Sequence, residues 1–136
     1  MKYLAMILLA VISGNAMASS SNSATSEWIK VDNNDNATGY ANPSTIRKIG
    51  NIVKMSQLVD FKTATRYANV APFMSDESQE EYDCKEKQSR TLVYSLHSEN
   101  MGKGTVVFSD SNPSKWEAVQ PGSKREEFLD IACGKK

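Results

Sequence analysis

Two cysteines, Cys84 and Cys133, are the only ones in a chain whose residues 1–18 read as an export signal. Lys2 supplies the positive start, Leu4 to Ile12 (LAMILLAVI) is the apolar stretch, and Ala16-Met17-Ala18 offers signal peptidase the small side chains its pocket admits. That stretch falls well short of the ~20 residues a stable membrane-spanning helix needs. No cysteine follows it to carry a lipid anchor. The expectation is cleavage between Ala18 and Ser19 and a mature chain with no stable membrane anchor. Outside the cytosol a disulfide persists, so the cysteine pair reads as a clamp on the fold. Free redox thiols are the weaker reading, since no Cys-x-x-Cys is present.

Ser19 to Ser26 (SSSNSATS) is polar and low in complexity, which makes it a flexible tether, and the folded domain is expected over 27–134. Trp28 to Val31 reads as a short strand, Asp32 to Asn36 as an Asx-rich turn, and Thr38 to Ala41 as the returning strand. Asn42-Pro43-Ser44-Thr45 is expected to end that strand, because proline gives no N–H to a ladder. Gly50-Asn51 is a hairpin signal ahead of Ile52 to Lys62. There Val53, Met55, Val59 and Phe61 share one face, Lys54, Ser56 and Asp60 share the other, and Gln57 interrupts the apolar side. Thr63 to Met74 reads as a loop. Alternation over Glu77 to Ser98 fits one bent strand or two, with Tyr82 and Cys84 on a common face, and Gly104 to Ser109 is a further β-branched strand.

The C-terminal element is the plainest. Ser123 and Glu126 form a capping box, and Phe128, Leu129, Ala132 and Cys133 line one helical face ahead of Gly134. Cys84 on the inner side of a strand and Cys133 on the inner side of this helix are thus expected to pair.

The chemistry offered is sparse. With 16 basic against 16 acidic residues, no overall field draws nucleic acid. Two cysteines and one histidine cannot build a Cys₄ or Cys₂His₂ zinc site, and no Gly-x-Ser-x-Gly elbow occurs. His97 is the one candidate base and, with Met101, a conceivable haem ligand pair, although a histidine near a hairpin end is ordinarily structural. Gly102-Lys103-Gly104 precedes a strand rather than a helix and reads as a turn, not a phosphate loop. The acidic residues Asp76, Glu77, Glu80, Glu81, Asp83 and Glu86 read as a solvated face, because a strand sends alternate carboxylates apart instead of converging them on calcium. Trp28 and Trp116 read as core.

The order of short motifs is itself informative. Trp28, then Asn42-Pro43-Ser44-Thr45-Ile46-Arg47 before Gly50-Asn51, then Leu58-Val59-Asp60-Phe61 and Glu81-Tyr82-Asp83-Cys84 form the first part of a series. Asn100-Met101-Gly102-Lys103-Gly104-Thr105-Val106-Val107, Trp116, Val119-Gln120-Pro121-Gly122-Ser123 and Cys133 complete it. Together these resemble the surface-adhesin protein E family of Gram-negative bacteria. The resemblance implies an α+β fold, an antiparallel sheet of about six strands with the C-terminal helix packed on one face and joined to it by the cysteine pair. It also implies adhesion and supplies no catalytic motif. The namesake type is lipid-anchored, and the missing anchor cysteine here points to an exported, periplasmic protein rather than a displayed one.

The functional expectation is therefore a non-enzymatic binding module without catalytic, cofactor or metal residues. It would hold a protein partner, a host ligand being one case, through a sheet face or an open edge, which would also allow a homodimer. The alternative is a periplasmic carrier of a small ligand such as haem.

Overall fold

The structure, a computed structural model, describes residues 27–134; the export segment, the tether and the Ala18/Ser19 junction lie outside the described residues. Six strands follow one another as an antiparallel meander: β1 (Ile29–Asn33), β2 (Ala37–Ile49), β3 (Ile52–Thr65), β4 (Phe73–Asp83), β5 (Gln88–His97) and β6 (Val106–Asp110). A two-residue strand, β7 (Glu117–Ala118), pairs with the start of β5, and the helix α1 (Lys124–Cys133) ends the chain. The expected α+β architecture is the one observed.

Local chemistry accounts for the turns. Asn34 Oδ1 accepts from the N–H groups of Asn36 and Ala37 at 2.8 and 2.9 Å, which closes the β1–β2 connection. Gly50, at φ 60°, makes the β2–β3 hairpin that places Ile49 opposite Ile52. Asp83 Oδ1 accepts from the N–H groups of Lys85 and Glu86 and folds the β4–β5 turn.

Pro43 does not end its strand, contrary to expectation. β2 runs through it to Ile49 with a bulge between Asn42 and Arg47, where its register against β3 slips. Pro43 falls inside the bulge, where the ladder is interrupted, and there the Thr45 hydroxyl donates to the Asn42 carbonyl at 2.6 Å and accepts from the Ser56 N–H at 2.8 Å, standing in for a carbonyl of β2. The loop expected over Thr63 to Met74 is also shorter, since β3 extends to Thr65 and β4 begins at Phe73. The long alternating run resolves as two strands, with β5 bulged at Leu92.

Residues paired across the ladders share a side of the sheet. One side carries Val53 and Met55 from β3, Tyr82 from β4 and Ala41 from β2, and here α1 lays down Phe128, Leu129 and Ala132 to form the main core with Val119. Gln57, which interrupts the apolar pattern, accepts a hydrogen bond from the Tyr82 hydroxyl, so the interruption is a satisfied polar pair. The opposite side buries Leu58, with Ser75 and His97 nearby, beneath the turn Asn100–Gly102. Ser75 Oγ donates to the Glu99 carbonyl and accepts from Gly102 N–H, Asp60 Oδ1 accepts from Met101 N–H, and the Asn100 amide donates to Asp60 Oδ1 and the Phe61 carbonyl, which together tie the turn down. Neither tryptophan joins the core: both are half-buried, and Trp116 instead stacks beneath the Arg90 guanidinium, 4.7 Å from the ring centre.

The helix begins at Ser123, whose hydroxyl accepts from Glu126 N–H at 3.2 Å. The return arm of the capping box is displaced by one residue, with Glu126 accepting from Gly122 N–H. Gly134, at φ 74°, closes the helix with its N–H on the carbonyls of Asp130 and Ile131. Cys84, one residue past β4, is joined to Cys133 by a disulfide with Cα atoms 5.8 Å apart.

Candidate functional groove

The helix covers only part of the side on which it lies. Ten residues of α1 span about 15 Å, whereas β3 and β4 run for more than twice that length. Beyond the helix N-terminus the sheet stays open as two adjoining hollows that meet over Gln57, Val59 and Glu80.

The hollow nearer α1 holds about 380 Å³. Its floor is Gly39 and Val59 and its walls are Phe128 and Tyr82. Gly39 lets the Phe128 ring approach closely, because a Cβ there would lie 3.1 Å from Phe128 Cζ and the ring would have to shift. The charges at this end are matched: Lys124 Nζ lies 2.8 Å from Asp32 Oδ2, and Arg125 lies 3.0 Å from Glu117 Oε2.

The second hollow, of about 270 Å³, is lined by Asp76, Ser78, Thr91, Tyr67 and Tyr94 besides the three shared residues. Strand alternation puts Asp76, Ser78, Glu80 and Tyr82 on this one side, so the acidic run is not the solvated face expected of it. Asp76 Oδ1 is buried with no hydrogen-bond partner, and burial pushes its carboxyl up to about 6. Burial also raises Glu80, against the pull of hydrogen bonds from Thr91 and Ser78 and of the Arg125 charge, while the Asp76 charge adds to the rise. The Thr91 hydroxyl lies 2.9 and 3.0 Å from the two Glu80 oxygens. Burial holds the Tyr82 phenol far above its usual range, so it acts here as a neutral donor.

His97 lies on the opposite side, near the Asn100–Gly102 turn. Its Nε2 is 2.9 Å from Ser95 Oγ, and Glu77 Oε2 stands 3.9 Å from that same nitrogen. A hydrolytic triad needs the carboxylate on the other ring nitrogen, and Nδ1 is buried without a partner. Met101 sits in the tied-down turn at φ 58°. The structure thus joins Cys84 to Cys133, as expected, and places its open groove around Asp76 and Glu80, two members of the acidic run expected to form a solvated face. The signal was available: Tyr82 was read as inward-facing, and counting back by twos from it reaches Glu80, Ser78 and Asp76.

Residues 28–134 match the family model for surface-adhesin protein E, and the chain belongs to that family. Two crystal structures of Haemophilus influenzae protein E share the fold. The first has 15% sequence identity and a TM-score of 0.65, the match covering 80% of this chain and 88% of that one. The second has 16% identity and a TM-score of 0.63, covering 80% and 85%. No curated protein is significantly similar in sequence.

Proposed function

We propose that this member of the surface-adhesin protein E family is an exported, non-enzymatic binding module of the bacterial envelope, and that it holds an extended polypeptide segment in the groove beside α1. The carrying observation is the open stretch of sheet itself. It runs from Gly39 on β2 to Thr91 and Tyr94 on β5, three strand spacings or about 15 Å, the length of roughly four extended residues. Val59 remains 36% exposed on its floor, and Tyr67 is 56% exposed at its rim. A floor of mixed apolar and hydrogen-bonding groups that is open along its length suits a chain segment better than a compact small molecule.

Export and a periplasmic location belong to the same reading. Protease treatment of intact cells, with a known periplasmic protein as control, tests them: digestion only after the outer membrane is opened is the expected result. The groove is tested by a photo-cross-linking residue at position 59 and, separately, at position 54 on the other side of the sheet. Protein adducts in cells from position 59 and not from position 54 are expected, and equal labelling would refute the groove. A homodimer would instead use an open edge such as β6, where Val106 and Phe108 are exposed, and sedimentation of the purified protein would reveal it.

A further inference from the structure

We propose that the Asp76 end of the groove is a pocket for a basic side chain, a lysine or arginine carried by the bound segment. The inference rests on the binding-module reading and names what the segment must present. The two ends of the groove differ in how their charges are met. At the α1 end each charge has a partner within the chain, Lys124 with Asp32 and Arg125 with Glu117. At the other end Asp76 Oδ1 is buried and receives no donor, and no lysine or arginine among the described residues pairs with it. A buried acceptor without a donor is costly, and a buried carboxylate without a cation more so.

The groups facing Asp76 sharpen the choice of occupant. Glu80, on the same strand and side, is held by Thr91 and adds negative charge. Tyr94 on β5 and Tyr67 from the β3–β4 loop line the same hollow, and their ring faces attract an ammonium or guanidinium group. Arg125 acts on Glu80 from the α1 side. An uncharged amide could satisfy one oxygen but would leave the charge; a basic side chain supplies both a donor and a charge, in a hollow that two aromatic rings also line.

The test uses blocked five-residue peptides of β-forming sequence, one with a central lysine and one with acetyl-lysine, which keeps the shape and removes the charge. Each is titrated into the purified, isotope-labelled protein, with backbone amide shifts of Val59, Asp76 and Tyr94 as the readout. The lysine peptide is expected to bind at least about tenfold tighter at pH 7.5, and to weaken about tenfold by pH 5 as Asp76 takes up its proton. Asp76→Asn should abolish the preference, and Glu80→Gln should reduce it. Equal binding of both peptides, or a preference that survives Asp76→Asn, overturns the pocket while leaving the groove as a binding surface. Binding of neither peptide also overturns it, and the adducts at position 59 judge the groove independently.

Discussion

Asp76→Asn should stabilise the protein at neutral pH, which is unusual for removing a charged residue. The carboxyl is raised from 3.8 to about 6 in the folded state. Such a group opposes folding once the pH exceeds its unfolded value, because the unfolded chain loses the proton more readily than the folded one. At about 1.4 kcal/mol per pH unit the displacement amounts to about 3 kcal/mol, and about 2–3 kcal/mol is expected since a groove carboxyl keeps some contact with water. The penalty is absent below about pH 3, grows between about pH 4 and 6, and is constant above that. Urea unfolding of both proteins at pH 3, 5 and 7.5, followed by tryptophan fluorescence, measures it. The stability of the variant relative to the parent should rise by about 2–3 kcal/mol between the lowest and highest pH, with most of the gain before pH 6.5. An amide contributes its own packing energy, but that part does not change with pH. A relative stability that is flat across the range would refute the largely buried, unpartnered carboxylate on which the pocket for a basic side chain depends.

Replacing both cysteines by serine opens a loop with a sequence separation of 49 and should cost about 4 kcal/mol in urea unfolding, a figure from the chain-entropy treatment. Non-reducing mass spectrometry should find the oxidised protein two hydrogens lighter than the reduced form. Leu58→Ala, beneath the Asn100–Gly102 turn, should cost about 2–4 kcal/mol although it touches nothing in the helix-side core; a cost below 1 kcal/mol would mean that the turn collapses to fill the space. Ser123→Ala removes the acceptor for Glu126 N–H and should cost about 1 kcal/mol, with faster amide exchange confined to the first turn of α1.

The parts legible in the sequence were those fixed by local chemistry. Gly50-Asn51, the Asn34 turn, Ser123 and Gly134 each satisfy backbone groups within a few residues, so their roles show in any window around them. The cysteine pairing was legible because two short-range periods, one strand and one helix, each put a thiol inward. What was hidden depended on partners far along the chain. Pro43 looked like a stop because the bulge that carries the strand past it, in which the Thr45 hydroxyl accepts from Ser56 N–H, forms only once Ser56 lies opposite. Gln57 looked like a defect until Tyr82 was placed beside it. The segment before β4 was unreadable because Tyr67 is held by its ring against Phe73, not by a periodic pattern. The acidic run misled for a different reason. Strand alternation argues against carboxylates converging on calcium, but the same period places Asp76 and Glu80 together on the side that carries the helix.

That side had to be left partly bare by a helix of this length. A bare stretch of sheet intended only for water would show polar, fully hydrated groups, and the strands here have enough of them on the opposite side, with Lys54, Ser56 and Gln79. On the helix side the open stretch instead presents Val59 and Tyr94, with Phe108 stacked beside Tyr94 at 5.9 Å. Between them lies a carboxylate oxygen with nothing to accept from. The disulfide anchors α1 at its C-terminal end, and the Lys124 to Asp32 pair fixes its N-terminal end, so the helix is held at both ends rather than free to slide over the gap. The groove is asymmetric in charge, matched beside the helix and unmatched at Asp76. On the binding-module reading, this asymmetry, more than the volume of the hollow, is what would orient a bound segment across the strands.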